Sequence, residues 1–437
     1  MALLESNHIR IITIIIGRYV MKGTTSKGWL TLFLQIIIGS VTCFSYIITL
    51  FISPLHDKFG WAAATIILVF TFSMWVGTPA NIIGGWLRDK LGCKKVIIFS
   101  GLFYGLGIAI SGIVNNVWVF VILQGIVSPT CMFFCYIAAL ANIGVLFPDN
   151  RGFTTGLYVG GYSLGSAALA PIAAAFLSHF SVSFALVAEG IIYGIIVVIC
   201  GLFIFDPKDA KYEEEEVVGN GDANTPQVPW QKLIRQPSYY LIMISFILIG
   251  IIGFVVMSNG AMLAEEAVGA TTEFAAWAVT IINIAVGIGG FTFGFLADKT
   301  SSSNALIILA VMEAVFCALF LICGMNNVPV FIIVIIFLGL GTGGAGTLLP
   351  VITMDAFGDK FFGVNMGLVS LQTIVATFVG PQLSVRCDMQ TVFLIGGLLA
   401  AIGIPALLIT KKSIKKLRET WVNTHDEKEE SPADLVE

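Results

Sequence analysis

The chain has 437 residues, of which 57% are apolar and only 11% are charged, and its formal net charge is −4. Soluble domains carry roughly 25% charged residues, so this composition excludes an ordinary soluble protein. The net charge says little about partners, but no basic stripe suggests a nucleic-acid partner. The apolar composition indicates a chain that spans the lipid bilayer many times.

Twelve apolar stretches are each long enough to cross a bilayer, which takes about 20 residues in a helix. They lie at about 29–53, 62–87, 96–114, 117–146, 153–177, 182–205, 239–263, 274–296, 304–324, 328–354, 362–384 and 390–410. Backbone polar groups in hydrocarbon must be satisfied within each segment, so these stretches are predicted to be helices. The predicted fold is an all-α membrane protein with twelve transmembrane helices in two pseudo-symmetric six-helix bundles.

A polar interruption separates the first six stretches from the last six. It carries four consecutive glutamates at 213–216, followed by glycines and prolines, and such a composition cannot form a packed core. We expect Ile9–Val20 to lie at the inner membrane interface and Trp230–Arg235 to lead into helix seven. The predicted divisions are a cytoplasmic or interfacial segment 1–28, a bundle 29–205, a cytoplasmic linker 206–236, a bundle 237–410 and a cytoplasmic tail 411–437.

The distribution of Lys and Arg predicts the orientation of the chain. Of the 23 basic residues, only Lys58 and Arg386 fall on the side opposite to the termini and the linker. The positive-inside rule therefore predicts a multi-pass protein of the plasma or inner membrane with both termini cytoplasmic. Cys131 and Cys135 lie one helical turn apart, but no His or carboxylate accompanies them, so we expect no metal site and no cofactor. We expect that the protein is not an enzyme, since no soluble domain is inserted. We also expect it to function as a monomer.

One short loop pattern occurs twice, about half a chain apart. Gly85–Lys95 contains Asp89, and Gly294–Lys299 contains Asp298, 209 positions later. A glycine lets two helices approach closely, and an aspartate can cap a helix N-terminus. The second copy lacks the later glycine and basic pair, so a weaker hold is expected from it. The predicted gating residues are Gly85, Asp89, Lys94, Lys95, Arg151, Asp298 and Asp355.

The Gly85–Lys95 loop resembles the signature loop between helices two and three of the major facilitator superfamily. This resemblance implies transport by alternating access, with a loop that stabilises the outward-open state. Phe147–Gly152, Gly160–Gly165 and Asn365–Gly367 resemble the oxalate:formate antiporter branch, which is close to the monocarboxylate transporters and moves small carboxylates. We therefore expect a secondary active or facilitative transporter.

That branch places an Arg in helix eight and a Lys in helix eleven, and the aligned positions here are Gly290 and Thr373. A dianion without a countercharge is costly near the bilayer midplane. The expected substrate is therefore a small organic acid, preferably a monocarboxylate. The alternative is an exporter or facilitator of a neutral amphiphilic small molecule.

The resemblance implies a cavity lined by helices 1, 4, 7 and 10, with 2, 5, 8 and 11 beside them. Polar residues on these helices are candidates to bind substrate, although such stripes also hold membrane helices together. The candidates are Thr42, Ser45, Tyr46, Thr49, Gln124, Ser128, Tyr158, Tyr162, Asn259, Asn283, Gln372 and Thr373. Glu189 and Glu313 fall in helices six and nine, which the family places at the periphery, so a structural role is expected for each. With no acid on a cavity helix, exchange or facilitated diffusion is favoured over proton symport.

Overall fold

A computed structural model of the protein describes residues 26–206, 225–269 and 271–429. Within these ranges the fold is all-α. The predictions for Ile9–Val20 and for the glutamates at 213–216 fall outside the described residues.

The first half contains six membrane helices. They are α1 (Ser26–Val41), α2 (Ala63–Leu91), α3 (Cys93–Ser111), α4 (Val117–Leu146), α5 (Arg151–His179) and α6 (Val182–Phe203). Helix α1 breaks after Val41 and continues as the short helical segments Phe44–Ile47, Ile48–Phe51 and Ile52–Phe59. Gly60 ends this continuation in a left-handed conformation, φ 69°, which glycine adopts without strain.

The second half repeats this order after a short helix at Trp230–Leu233, where the lead-in was predicted. Its helices are α7 (Pro237–Val268), α8 (Thr272–Thr300), α9 (Ser302–Cys323), α10 (Val328–Phe357), α11 (Phe362–Val369 and Leu371–Arg386) and α12 (Met389–Glu429). Helix α12 continues beyond residue 410, where the tail was predicted to begin. Its extension is held by Arg418, whose guanidinium donates two hydrogen bonds to the backbone carbonyl of Asp355.

Nine helices in the described ranges are long and apolar enough to cross a membrane. The other three regions that complete the predicted twelve are α1 with its continuation, α2 and α5. The two bundles and the all-α class agree with the prediction from the sequence.

Tyr104 on α3 holds the break in α1 together. Its hydroxyl donates to the carbonyl of Val41 at 3.2 Å and accepts from the backbone N–H of Phe44 at 3.3 Å. A broken helix in hydrocarbon needs such replacement partners, because water cannot satisfy the freed backbone groups. Tyr104 is fully buried, so the break is a fixed part of the first half.

The two halves meet through backbone contacts at glycines. Gly85 of α2 lies against Gly363 of α11, and Gly152 of α5 lies against Gly294 of α8. A Cβ added at any of these four glycines would overlap the opposing backbone. We call these contacts the first and second glycine seams. Both lie on the face of the molecule that carries the linker, here named the linker side.

The second glycine seam continues from the linker side toward the middle of the molecule. The further contacts pair Gly156 with Gly290 and Gly160 with Gly287. Small residues allow helix backbones to pack this closely in a membrane. The seams therefore join the halves on the linker side, and the space between the halves lies above them.

Candidate functional site

A cavity of about 260 Å³ lies between the two halves. Helices α2, α4 and α5 of the first half and α7 to α11 of the second half contribute to its wall. The polar side chains in the wall are Thr78, Asn81, Tyr136, Tyr162, Ser163, Glu313, Thr342, Ser370, Gln372, Thr373 and Thr377. Among these described lining residues there is no Lys, Arg or His. The cavity thus combines hydroxyl and amide groups with a single carboxyl.

Two tyrosines from neighbouring helices form one wall of the cavity. The rings of Tyr136 on α4 and Tyr162 on α5 meet edge to face, with 5.5 Å between their centroids. The hydroxyl of Tyr162 donates to the sulfur of Met132 at 3.3 Å. The pair places phenol groups at the apolar surface, where a phenol O–H can donate to a ligand, that of Tyr162 by exchanging its bond to the Met132 sulfur.

The opposite wall comes from the place where α11 breaks. The helix is interrupted at Ser370, and Gln372 and Thr373 follow directly. The side-chain amide of Gln372 donates to the hydroxyl of Thr373 at 3.0 Å. Tyr162, Gln372 and Thr373 were predicted from the sequence as cavity residues, and all three line this cavity.

Two buried polar atoms in the wall have unused hydrogen-bonding capacity. Oδ1 of Asn81 and Oε2 of Glu313 have no hydrogen-bond partner among the described residues. Both side chains are almost fully buried, with 7% and 1% of their surface exposed. Buried polar groups are nearly always paired, so unpaired ones facing a cavity are suited to bind a ligand or an ion.

Glu313, for which the sequence predicts a structural role, lies at the cavity wall. Helix α9 packs at the periphery, as the family resemblance implies, yet Glu313 contributes to the cavity wall. The reason is Gly341 on α10, where an added Cβ would lie 2.7 Å from Oε1 of Glu313. The missing side chain leaves a notch through which the carboxyl reaches past α10.

Other predicted cavity residues turn toward the packing between helices instead. Thr42 donates its hydroxyl back to the carbonyls of Ile38 and Gly39, at 3.0 and 3.1 Å. Gln124 donates to Ser111 on α3 at 2.7 Å. In this structure the two side chains bond within the protein, Thr42 to backbone and Gln124 to a side chain, and neither contributes to the cavity wall.

Ser128 and Tyr158 are also outside the cavity wall. Ser128 faces α3 at Gly107, where an added Cβ would lie 2.6 Å from its hydroxyl. Tyr158 is fully buried, and its ring lies against Gly39 of α1. Both residues lie on polar helix faces like those that carry lining residues. Neighbouring glycines leave room for their side chains, so they pack between helices instead.

The remaining predicted positions divide into two groups. Asn259 and Asn283 lie outside the cavity wall, and Asn259 marks a kink in α7, with φ −124° and ψ 22°. The side chains of Ser45, Tyr46 and Thr49 fall outside the described residues.

The position aligned with the branch's Arg is also not in the cavity. Gly290 lies in the second glycine seam, between Gly156 of α5 and the hydroxyl of Thr347, 3.0 Å from where its Cβ would be. An arginine side chain would have no room there while the halves are in contact.

The loops on the linker side carry polar contacts between the halves. Asp298 accepts hydrogen bonds from the backbone N–H groups of Gly152 and Phe153, at 2.7 and 2.6 Å. These N–H groups start α5, where the helix dipole favours an anion. In the first copy, Asp89 pairs with the neighbouring Arg88 at 3.1 Å. Asp298 therefore contacts the other half directly, through two backbone hydrogen bonds.

Further polar contacts surround these loops, and one of the following three joins the two halves. Arg151 of the first half pairs with Asp359 of the second at 3.6 Å. Asp355 accepts from the hydroxyl of Ser302 at 2.6 Å. The backbone N–H of Lys94 donates to Asp206 at 3.1 Å. These contacts are spread over both halves.

The residues just before α7 form a strap that the sequence did not predict. Val228 donates its N–H to the carbonyl of Phe357 at 3.0 Å and accepts from the side chain of Asn365 at 2.8 Å. The amide of Gln227 donates to Asp359 at 3.1 Å and accepts from the N–H of Lys360 at 3.0 Å. The strap, Pro226–Pro229, thus binds to the loop between α10 and α11.

Twelve helices in two halves around a central cavity define the architecture of a membrane transporter. The family model of the Major Facilitator Superfamily matches residues 32–260 and 242–435. The chain therefore belongs to this superfamily, whose members are transporters and not enzymes.

Two curated relatives and one solved structure extend this assignment. The oxalate:formate antiporter of Oxalobacter formigenes is 24% identical over 390 residues, covering 85% of this chain and 89% of the antiporter. Monocarboxylate transporter 12-B of Danio rerio is 22% identical over 331 residues, covering 69% and 68%. The fucose:proton symporter FucP of E. coli superposes with a TM-score of 0.65 at 18% identity, covering 87% of this chain and 98% of that structure, and supports the fold alone.

Proposed function

We propose that this protein moves a small monocarboxylate across the plasma or inner membrane by alternating access. The observation that carries the proposal is the cavity between the halves, which offers neutral hydrogen-bond donors and no cation in its described wall. The relatives named for oxalate, formate and monocarboxylates support a carboxylate as the substrate class.

The charge of the wall favours a monoanion over a dianion. Hydroxyl and amide groups such as those of Tyr136, Tyr162 and Gln372 can bind one carboxylate through charge-assisted hydrogen bonds. A second negative charge would remain without a countercharge in a region of low dielectric, which costs several kcal/mol or more. The cavity of about 260 Å³ is also smaller than the roughly 300–1,000 Å³ typical of drug-sized ligands, which favours a substrate of few atoms.

The glycine seams support alternating access. Contacts between the halves concentrate on the linker side, where Asp298 and the glycines join α5 to α8. Two halves that separate there and approach each other on the other face would expose the cavity to each side in turn. We take the linker side to be cytoplasmic, from the distribution of Lys and Arg, and propose that one chain suffices for transport.

A neutral amphiphile remains the second candidate. Gly, Phe and Met residues make up much of the wall, including Phe246, Phe254 and Met257 of α7. An apolar wall with scattered hydroxyls can also bind an uncharged polar molecule.

Competition in proteoliposomes tests the substrate class. Purified protein is reconstituted with internal lactate, and the entry of radiolabelled lactate is measured against external formate, acetate, oxalate and lactamide. Inhibition by monocarboxylates but not by lactamide supports the proposal. Inhibition by the amide as strongly as by the acid would instead favour the neutral substrate, and no lactate exchange would overturn the proposal for this acid.

A matched pair of variants tests whether this cavity is the binding site. Tyr162→Phe removes a hydroxyl at the wall, whereas Tyr158→Phe removes one a single turn away that is buried outside it. Losing a hydrogen bond to a charged ligand costs about 1.5–3 kcal/mol, so Tyr162→Phe should weaken apparent lactate affinity at least about tenfold. Tyr158→Phe should leave that affinity unchanged. Equal effects of the two variants would place the site elsewhere.

A further inference from the structure

Glu313 is the only acidic side chain among the described residues of the cavity wall. It lies near the middle of α9 (Ser302–Cys323), 11 residues after the first residue of the helix and 10 before the last. Only 1% of its surface is exposed, and Oε2 has no hydrogen-bond partner among the described residues. Such a carboxyl is not fixed by a structural bond at that oxygen and is open to change its protonation.

The surroundings of Glu313 contain few other titratable groups. Helices α8, α10 and α12 pack against α9. The sequence of α10 has no titratable residue before Asp355, which is 14 positions from Gly341, or about 21 Å along the helix. The sequence of α12 has none before Lys411, and that of α8 has none between Trp277 and Ala297. On its own helix the nearest is Cys317, one turn away.

Across the cavity, the facing titratable groups are the hydroxyls of Tyr136 and Tyr162. Both are neutral donors at ordinary pH. A carboxylate at Glu313 would therefore face no cation, and a bound substrate anion would add a second negative charge to the same cavity. Two like charges in a medium of low dielectric repel strongly, and adding one proton removes this repulsion.

We propose that Glu313 binds the proton that enters the cavity together with the substrate anion, so that transport is proton symport. The inference rests on the proposed function. Water on the open side gives a proton to the carboxylate, which forms one O–H bond as the monoanion binds. After the halves have rocked, the anion leaves and the carboxyl returns its proton to water on the other side. One anion and one proton cross together, and no net charge moves.

Glu313→Gln separates exchange from net transport. The amide resembles the protonated carboxyl in shape, so lactate exchange at equal pH should remain within about threefold of wild type, a difference below about 1 kcal/mol. With one proton per anion, a gradient of about 1 pH unit supports about tenfold lactate accumulation in wild type. The variant cannot release a proton and should lose this accumulation.

Glu189→Gln is the matched control. Glu189 on α6 is also fully buried, and neither of its carboxyl oxygens has a hydrogen-bond partner among the described residues, but it does not line the cavity. This variant should accumulate lactate as wild type does. Accumulation retained by Glu313→Gln, or lost equally in both variants, would overturn the inference. Accumulation driven by a sodium gradient alone would also overturn it.

Gly341→Ala provides a second variant that retains the carboxyl. The new Cβ would lie 2.7 Å from Oε1, at the mobile end of a flexible side chain, so the fold should tolerate it while the carboxyl shifts. We expect the pH at which lactate uptake is half-maximal to move in this variant. An unchanged pH profile would contradict a role for the notch.

Infrared difference spectroscopy distinguishes failure of this inference from failure of the proposed function. The C=O stretch of a protonated carboxylic acid should appear when lactate is added to purified wild type and should be missing in Glu313→Gln. If lactate is not exchanged but a neutral ligand produces the band, the proton site stands and the substrate class is wrong. If lactate is exchanged and Glu313 gives no band, the substrate class stands and the proton site is wrong.

Discussion

The two halves carry different polar side chains at equivalent positions of their third helices. Glu313 on α9 lies 209 positions after Tyr104 on α3, the same offset that separates Asp298 from Asp89. The Tyr104 hydroxyl donates one hydrogen bond and accepts another, and both hold the break in α1. Glu313 has an oxygen without a partner among the described residues and contributes to the cavity wall. The first half uses this position to hold a break in a helix, whereas the second half places a carboxyl at the cavity wall.

The glycine seams, in contrast, are alike in the two halves. Gly294 lies 209 positions after Gly85, and Gly363 lies 211 positions after Gly152. Each pairs with a glycine of the other half through backbone contact. The two halves thus share the backbone contacts at their glycines and differ in the polar side chains at Tyr104 and Glu313. We therefore assign closure on the linker side to the shared glycines, and the proposed proton coupling to the side chain that differs.

The largest effect is expected from filling the seams. Gly85→Val and Gly294→Val each place side-chain atoms against backbone that cannot rotate away, at a cost near 3 kcal/mol. This energy corresponds to about a hundredfold decrease in the population of the state in which the halves are in contact on the linker side. Both variants should reduce the initial rate of lactate uptake to a similar extent. Thr292→Val, on the exposed face of α8, is the control for a bulky apolar residue on the same helix and should transport normally. If only one of the two variants has a reduced uptake rate, the two seams do not contribute equally to transport.

Asp298→Asn is expected to have the next largest effect. It removes the charge that accepts two backbone hydrogen bonds across the second seam, each worth about 1.5–3 kcal/mol when the acceptor is charged. The variant keeps one acceptor oxygen, so we expect lactate uptake to fall about tenfold.

Arg151→Gln removes a partly exposed ion pair between the same halves, worth about 0–1 kcal/mol, and should change uptake less than about fivefold. Asp89→Asn then measures whether the first seam depends on its aspartate to the same degree.

The last effect concerns stability, not the uptake rate, and sharpens the contrast between Tyr104 and Glu313. Tyr104→Phe leaves the carbonyl of Val41 and the N–H of Phe44 unsatisfied, which costs about 1 kcal/mol for each net hydrogen bond. Its melting temperature should fall while proton-driven accumulation persists. Glu313→Gln should show the opposite pattern, with accumulation lost and the melting temperature unchanged. If both variants change the melting temperature and the accumulation in the same way, Tyr104 and Glu313 do not have different roles.

Composition and periodicity were sufficient to predict the fold, because a bilayer permits few ways to satisfy a backbone. The two copies of the loop pattern, centred on Asp89 and Asp298, indicated where the halves repeat. The extent of α12 was less accessible, because the basic stretch after Thr410 fits a solvated tail as well as a helix. Its continuation depends on the contact of Arg418 with Asp355, which lies far away in sequence.

The cavity was predicted only in part, because a polar stripe does not say what it faces. Thr373 and Thr42 are both hydroxyls on expected cavity helices, yet Thr42 bonds to its own backbone beside a break. Asn81 was missed, although Thr78 and Asn81 share a helix face at a spacing of three. Glu313 could be placed at the wall only through Gly341, since a notch in one helix that admits a side chain from another is invisible to periodicity.

The strap has a consequence for engineering the protein. Gln227 and Val228 fasten the chain to the loop between α10 and α11, so the connection between the halves begins only upstream of them. Residues 207–224 number 18 and can span at most about 60 Å when fully extended. The ends of this segment can therefore move apart by no more than that distance, and a reporter domain inserted at the strap would pull on the loop between α10 and α11.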